Sequence, residues 1–275
     1  MLGKIALEEC WTIPEELENN NPSRFVPAGT GDRLTSELMD IHSHRLRQMD
    51  ENGVDFMVLS FSSAGCQGLA DKATAEAQAT PANDRLEAEV MKNPVRFAAF
   101  AALSMHDPKQ AAEELTRCMT QKKGPYDLYR IDHKLDRARF PDMPMARDKL
   151  VRDYFGSQVF ITTSGHFSTP ALLCAMAEIG VRSVMFSIDY PFESIPNGCA
   201  WFDEHVQATI NQHDLVDIGR NNALKVLPKL METPHNLKPM TPSEAQVGGL
   251  RDGKITYGMY NEHWSKRLVK MEPAN

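Results

Sequence analysis

The sequence predicts an α/β domain built on parallel strands, and three observations carry that expectation. Short, near-continuous apolar runs alternate with longer amphipathic stretches, as in successive βα units. The runs show little polar–apolar alternation, the mark of strands buried on both faces. Polar and charged residues gather directly after several of the runs, where parallel α/β barrels collect their chemistry. At 275 residues the chain fits one large domain or two ordinary ones, with ample length for a core.

Five strands are expected: residues 4–8 (KIALE), 54–61 (VDFMVLSF), 97–103 (FAAFAAL), 158–163 (QVFITT) and 183–188 (SVMFSI). Helices are expected between them. Asp107 and Pro108 open one with an N-cap and a first-turn proline; Ala111, Leu115 and Cys118 mark its face, and Gly124 stops it. Ser168, Thr169 and Pro170 open another, with Leu172, Met176 and Ile179 along one side and Gly180 as its end. A third pattern runs over 34–51, before the Asn52-Gly53 turn signal. Residues 11–33 read as a long loop rich in Pro, Asn and Gly. The stretch 232–275 has few aliphatics and no period, so the division is a domain over 1–231 and an irregular extension over 232–275.

Composition excludes several classes of function. Thirty Lys plus Arg against 37 Asp plus Glu leave a net charge of −7, the wrong sign for a nucleic-acid surface. No apolar run approaches the roughly 20 residues that cross a bilayer, and acids near the N-terminus replace the apolar stretch of a signal peptide, so a cytoplasmic protein is expected. Cys10, Cys66, Cys118, Cys174 and Cys199 are irregularly spaced without a CxxC pair, which indicates neither a disulfide framework nor a zinc ribbon. All but Cys10 are expected to be buried apolar residues.

The first strand ends in Leu7-Glu8-Glu9-Cys10. A two-residue period sends Glu8 and Cys10 to one side and Glu9 to the other, and a carboxylate beside a thiol can bind a divalent metal; a solvated acid beside a buried Cys is the plainer alternative. The fifth run leads into Ile188-Asp189-Tyr190, where Asp189 is either a ligand or proton donor, or a helix N-cap. His166, in Ser164-Gly165-His166-Phe167-Ser168, is either a site residue or a hydrogen-bonded support. His42 and His44 have a common ligand spacing, but within a helix residues two apart point away from each other. No phosphate loop or Gly-x-Ser-x-Gly elbow is present.

Taken together, GKIALEE, FAAFAALSMHDP, FITTSGHFS and FSIDYPFE resemble the metal-dependent non-oxidative decarboxylases of the amidohydrolase superfamily, a group acting on dihydroxybenzoates, salicylate and aminocarboxymuconate semialdehyde. The resemblance covers roughly residues 1–230. It implies a (β/α)8 TIM barrel holding one divalent metal, zinc ahead of manganese or magnesium. It implies Glu8 and Asp189 as metal ligands, and makes Cys10 a candidate ligand at a position that is His in many members. Asp189 would also be the catalytic proton donor, its pKa raised by a dry pocket. Arg130 and His166 would contact the substrate, a small aromatic carboxylic acid that loses CO2. A homo-oligomer, a dimer or tetramer, is expected.

The family's middle-strand His-Pro and Gly-His-x-Gly-Glu motifs are absent, and five strand-like runs stand where a closed barrel needs eight. At about 30 residues per βα unit, a block of roughly 90 is missing near Gly124–Pro125, so the barrel is expected to be incomplete. A skipped exon, a gene-model error or a shortened paralogue would each produce it. Two other readings follow: a catalytically impaired homologue that binds little or associates with full-length subunits, and a superfamily hydrolase acting on a lactone or amide. The latter lacks the extra His and Lys ligands of two-metal sites.

Overall fold

The computed structural model describes residues 1–19, 29–62, 65–104, 106–107, 110 and 151–248. Five parallel strands form its frame: β1 (Lys4–Trp11), β2 (Val54–Phe61), β3 (Phe97–Ala99), β4 (Ile161–Thr162) and β5 (Val184–Met185). β1 pairs with β2 and β2 with β3, while β4 pairs with β5. Two backbone hydrogen bonds join the halves: Leu7 N–H to Phe186 O at 3.2 Å and Cys10 N–H to Tyr190 O at 2.7 Å. The strands therefore run β4-β5-β1-β2-β3, an arc of an incomplete barrel. Its ends are the outer edges of β3 and β4, which have no further strand partner among the described residues.

The strands follow from their sequences. β2 is mostly apolar because both faces are covered; Phe56 and Val58 lie in one cluster with Ile5, Leu7, Phe100 and Met185. Ser60 continues that two-residue period into a cavity. The opposite faces pack under helices, with Met57, Leu59, Phe97, Phe186 and Phe202 in a second cluster. Burying each such side chain contributes on the order of 1.5–3 kcal/mol.

The helices are α1 (Pro14–Asn19), α2 (Gly31–Met39), α3 (His44–Glu51), α4 (Lys72–Val90), α5 (Thr169–Ile179), α6 (Ile195–Ala200), α7 (Gln212–Val216) and α8 (Asn222–Val226). The single helix expected over 34–51 is two. Asp40 ends α2, and its side chain accepts the N–H groups of Ser43 and Arg45, so it also starts α3. His42 lies in the break and bonds Glu89, whereas His44 bonds Arg47; the two imidazoles do not share a partner. The loop expected over 11–33 is shortened because β1 continues to Trp11 and α1 follows. α4 escaped the sequence reading because its buried side chains include Ala75, Ala79 and Ala82, which give little contrast in hydrophobicity. Asp71 caps it by accepting Thr74 N–H.

Cys66 and Cys199 are buried as expected, but Cys174 is exposed, since it sits on the outer side of α5. Cys118 and the helix expected over 107–124 lie outside the described residues, apart from Asp107 and Gln110. Residues 232–248 are irregular, yet strapped to the domain. Leu2 N–H bonds Ala245 O at 2.8 Å, Met240 N–H bonds Asn221, and His235 bonds Pro94 O. No helix among the described residues is long and apolar enough to cross a membrane.

Candidate active site

A cavity of about 380 Å³ opens at the C-terminal ends of the strands, lined by Glu8, Cys10, Ser60, Gln67, Ser164, Asp189 and the 100–103 backbone segment, among others. β1 carries a bulge at Glu8: Leu7 aligns with Val58 and Glu9 with Leu59, leaving Glu8 as the extra residue at φ 64°. Asp189 is also left-handed, at φ 74°. Backbone of this kind costs roughly 1–3 kcal/mol at a non-glycine residue and concentrates at functional sites. Here it presents two carboxylates to one cavity.

Each carboxylate has a neighbour that orients it. The Thr162 hydroxyl donates to Glu8 Oε2 at 3.0 Å. The Cys10 thiol donates to Asp189 Oδ1 at 3.8 Å. Gly165, at φ 64°, gives Asp189 room, because a Cβ there would stand 3.2 Å from Asp189 Oδ2. Asp189 is not a helix N-cap; that role belongs to Ser194, which caps α6 by accepting Asn197 N–H.

Behind the cavity lies a buried polar layer that sequence reading missed. Glu9 is fully buried and accepts from Ile188 N–H, Tyr190 N–H and the Ser187 hydroxyl. Burial pushes its carboxyl up to about 7, against the pull of the two backbone N–H groups. Arg45 is equally buried. Its guanidinium bonds the carbonyls of Cys10, Glu37 and Asp40 and stacks over the Tyr190 ring at 4.6 Å. Burial lowers the Arg45 pKa and raises that of the Tyr190 phenol. A signal for Glu9 was available: in a strand buried on both faces, the acid opposite Glu8 has to meet buried donors.

The cavity thus brings together Glu8, Cys10 and Asp189. His166 is exposed on the turn after β4 and does not line the cavity, whereas Ser164 does. Arg130 lies outside the described residues. Among the described residues no three His, Cys, Asp and Glu side chains form a group able to hold a metal ion. Glu8 and Asp189 nevertheless supply carboxylate donors to one space. That chemistry fits a hard divalent cation whose other positions go to water or substrate oxygens.

Acids at strand ends around a barrel mouth are the general mark of a barrel enzyme site, and the family model named Amidohydrolase matches residues 39–124. A gamma-resorcylate decarboxylase of Rhodococcus jostii (strain RHA1) is 30% identical over 327 residues, covering 81% of this chain and 98% of its own length. The crystal structure of a 2,6-dihydroxybenzoate decarboxylase complexed with 2,6-dihydroxybenzoate superposes at TM-score 0.71. It is 28% identical and covers 83% of this chain and 100% of that one. A dihydroxybenzoic acid decarboxylase from Polaromonas sp. JS666, with bound manganese and the inhibitor 2-nitroresorcinol, gives TM-score 0.73 at 28% identity, with 83% and 98% covered. The chain belongs to the amidohydrolase-superfamily decarboxylases typified by these enzymes. Because 81% of 275 residues meets 327 aligned positions, about a hundred of those positions fall opposite a gap in this chain, in keeping with the missing middle strands.

Proposed function

We propose that the chain is a carbon–carbon lyase that removes CO2, without oxidation, from a benzoate bearing a hydroxyl ortho to its carboxylate. One observation carries this reading: Glu8 and Asp189, both on left-handed backbone, present their carboxylates to a single cavity. Similarity to decarboxylases of dihydroxybenzoates supports the substrate class.

Asp189 is assigned the proton transfer. In its protonated form it gives its proton to the ring carbon that bears the carboxylate, and the ring loses aromaticity as the ortho oxygen, bound as the phenolate, becomes a carbonyl; it returns to the phenolate when CO2 leaves and takes a proton from water on release. The C–C bond then breaks, its electron pair restores the aromatic ring, and CO2 leaves. Asp189 regains a proton from water. Glu8, oriented by Thr162, and the Cys10 thiol beside Asp189 hold the polar side of the cavity, while Phe61 and Phe100 supply apolar lining for a ring. When bound, a divalent cation held by Glu8 and Asp189 supplies the positive charge that fixes the substrate carboxylate and ortho oxygen. Manganese or magnesium suits these oxygen donors better than the zinc first expected, because Cys10 directs its thiol to Asp189.

Five irregularly spaced cysteines with no CxxC pair suit a reducing compartment, so we infer a cytoplasmic protein. Half-buried Ala98, Ala99, Phe160 and Ile161 along the arc's two ends support a homo-oligomer. A second reading is a catalytically impaired shortened relative, raised by the roughly hundred aligned positions that fall opposite a gap in this chain.

One experiment separates them. The purified chain is incubated with manganese and 2,6- or 2,3-dihydroxybenzoate, and product is followed by chromatography, with a parallel reaction in D2O. Turnover with one deuterium on the product ring, reduced on the order of 10²–10⁴-fold in Asp189→Asn, is the expected result. Undiminished activity in Asp189→Asn removes Asp189 as the acid. No turnover by the wild type favours the impaired relative.

A further inference from the structure

We propose that Glu9 is the positioning residue of this site: its buried carboxyl group grips the backbone on both sides of Asp189 and fixes the left-handed conformation that aims the Asp189 side chain into the cavity. The inference rests on the reading of Asp189 as the acid. Glu9 Oε1 accepts Ile188 N–H at 2.8 Å and the Ser187 hydroxyl at 3.1 Å, and Oε2 accepts Tyr190 N–H at 2.7 Å. Asp189 is the one residue between the two gripped amides. The Ile188 and Tyr190 N–H groups converge on the one Glu9 side chain, leaving between them a concavity that suits an acceptor. Glu9 fills that concavity from within the protein.

The bulge in β1 makes the arrangement available. At Glu8 the strand gains one residue, so Glu8 faces the cavity while Glu9, next in sequence, turns into the space behind it. Glu9 has zero exposure and does not line the cavity, so it acts on the reaction through Asp189 and not by touching substrate. Arg45 closes the layer from behind, joined to Cys10 O at 2.8 Å and stacked on Tyr190. Both ends of the Asp189 segment are therefore tied to β1, Ile188 and Tyr190 through Glu9 and Tyr190 again through its carbonyl bond to Cys10 N–H.

The test compares crystal structures and steady-state kinetics of the manganese-loaded wild type and Glu9→Gln. An amide keeps the volume but turns an NH2 group against one of the two backbone donors, so one grip is lost. Asp189 is expected to leave the left-handed region, with kcat reduced about 10–100-fold and KM changed less than about threefold. Glu9→Asp, which keeps the charge but is too short to span both amides, is read the same way if Glu9→Gln does not fold. The proposal is overturned if Asp189 keeps its positive φ in the variant crystal, or if kcat stays within about threefold of wild type. Should the wild type turn over none of the dihydroxybenzoates, the functional reading fails alone, and the Asp189 backbone in the variant crystal still decides the role of Glu9.

Discussion

Removing the ionisable group at position 9 changes how the fold responds to pH, and the size of that change follows from the geometry. Burial raises the Glu9 carboxyl from 4.5 to about 7, with Asp189 adding to the rise and two backbone N–H groups and Arg45 opposing it. A folded-state pKa above the unfolded one means that the native chain holds a proton the unfolded chain releases. The associated stability is present below the unfolded pKa and lost as pH rises through the folded one. Between about pH 5 and about pH 8 the loss amounts to roughly 2–3 kcal/mol at 1.36 kcal/mol per unit. Glu9 is fully buried, so water does not screen the effect. The assay is urea unfolding of metal-stripped wild type and Glu9→Gln across that range. Subtracting the two curves removes the titrating groups that do not interact with position 9. Wild type is expected to lose about 2–3 kcal/mol more than the variant on going from the acidic to the basic end. Parallel pH profiles, agreeing to about 0.5 kcal/mol, would refute the argument that burial controls this carboxyl.

Two further outcomes test other parts of the structure. Lys4 is fully buried, with its ammonium 2.8 Å from Asp203 Oδ2, so Asp203→Ala strands a charge in the core and is expected to cost about 3–5 kcal/mol by urea unfolding. Replacing both, as Lys4→Met with Asp203→Leu, should recover only part of that loss, because the Met1 ammonium 2.9 Å from Asp203 Oδ1 still loses its partner, and a single variant within about 1 kcal/mol of wild type contradicts the buried pair. Gly165→Ala places a methyl 3.2 Å from Asp189 Oδ2 at a backbone φ of 64°, so a loss of about 1–2 kcal/mol and at least about a tenfold fall in kcat are expected. Retention of wild-type turnover by Gly165→Ala means that the Asp189 side chain does not depend on that space.

Much of the frame was legible because buried parallel strands leave an unmistakable trace: runs such as VDFMVLSF need apolar residues on both faces, and β2 spans Val54–Phe61 as expected. The strand-end acids were legible for the same reason, since Glu8 and Asp189 interrupt apolar runs at the points where a barrel turns outward. The missing block could also be read, because five runs cannot supply eight staves. The break between α2 and α3 was not, because Asp40 ends one helix and starts the next through side-chain bonds that leave the hydrophobic period intact. Nor was α4, whose alanines pack without a strong apolar face. Above all, the two-residue period puts Glu8 and Glu9 on opposite sides but does not say what lies on either side. A one-residue bulge turns the first into the cavity and seals the second among the amides of Ile188 and Tyr190. Donors almost 180 positions away in the chain decide that difference, and only the folded arrangement of β1 against the segment after β5 brings them within hydrogen-bonding reach.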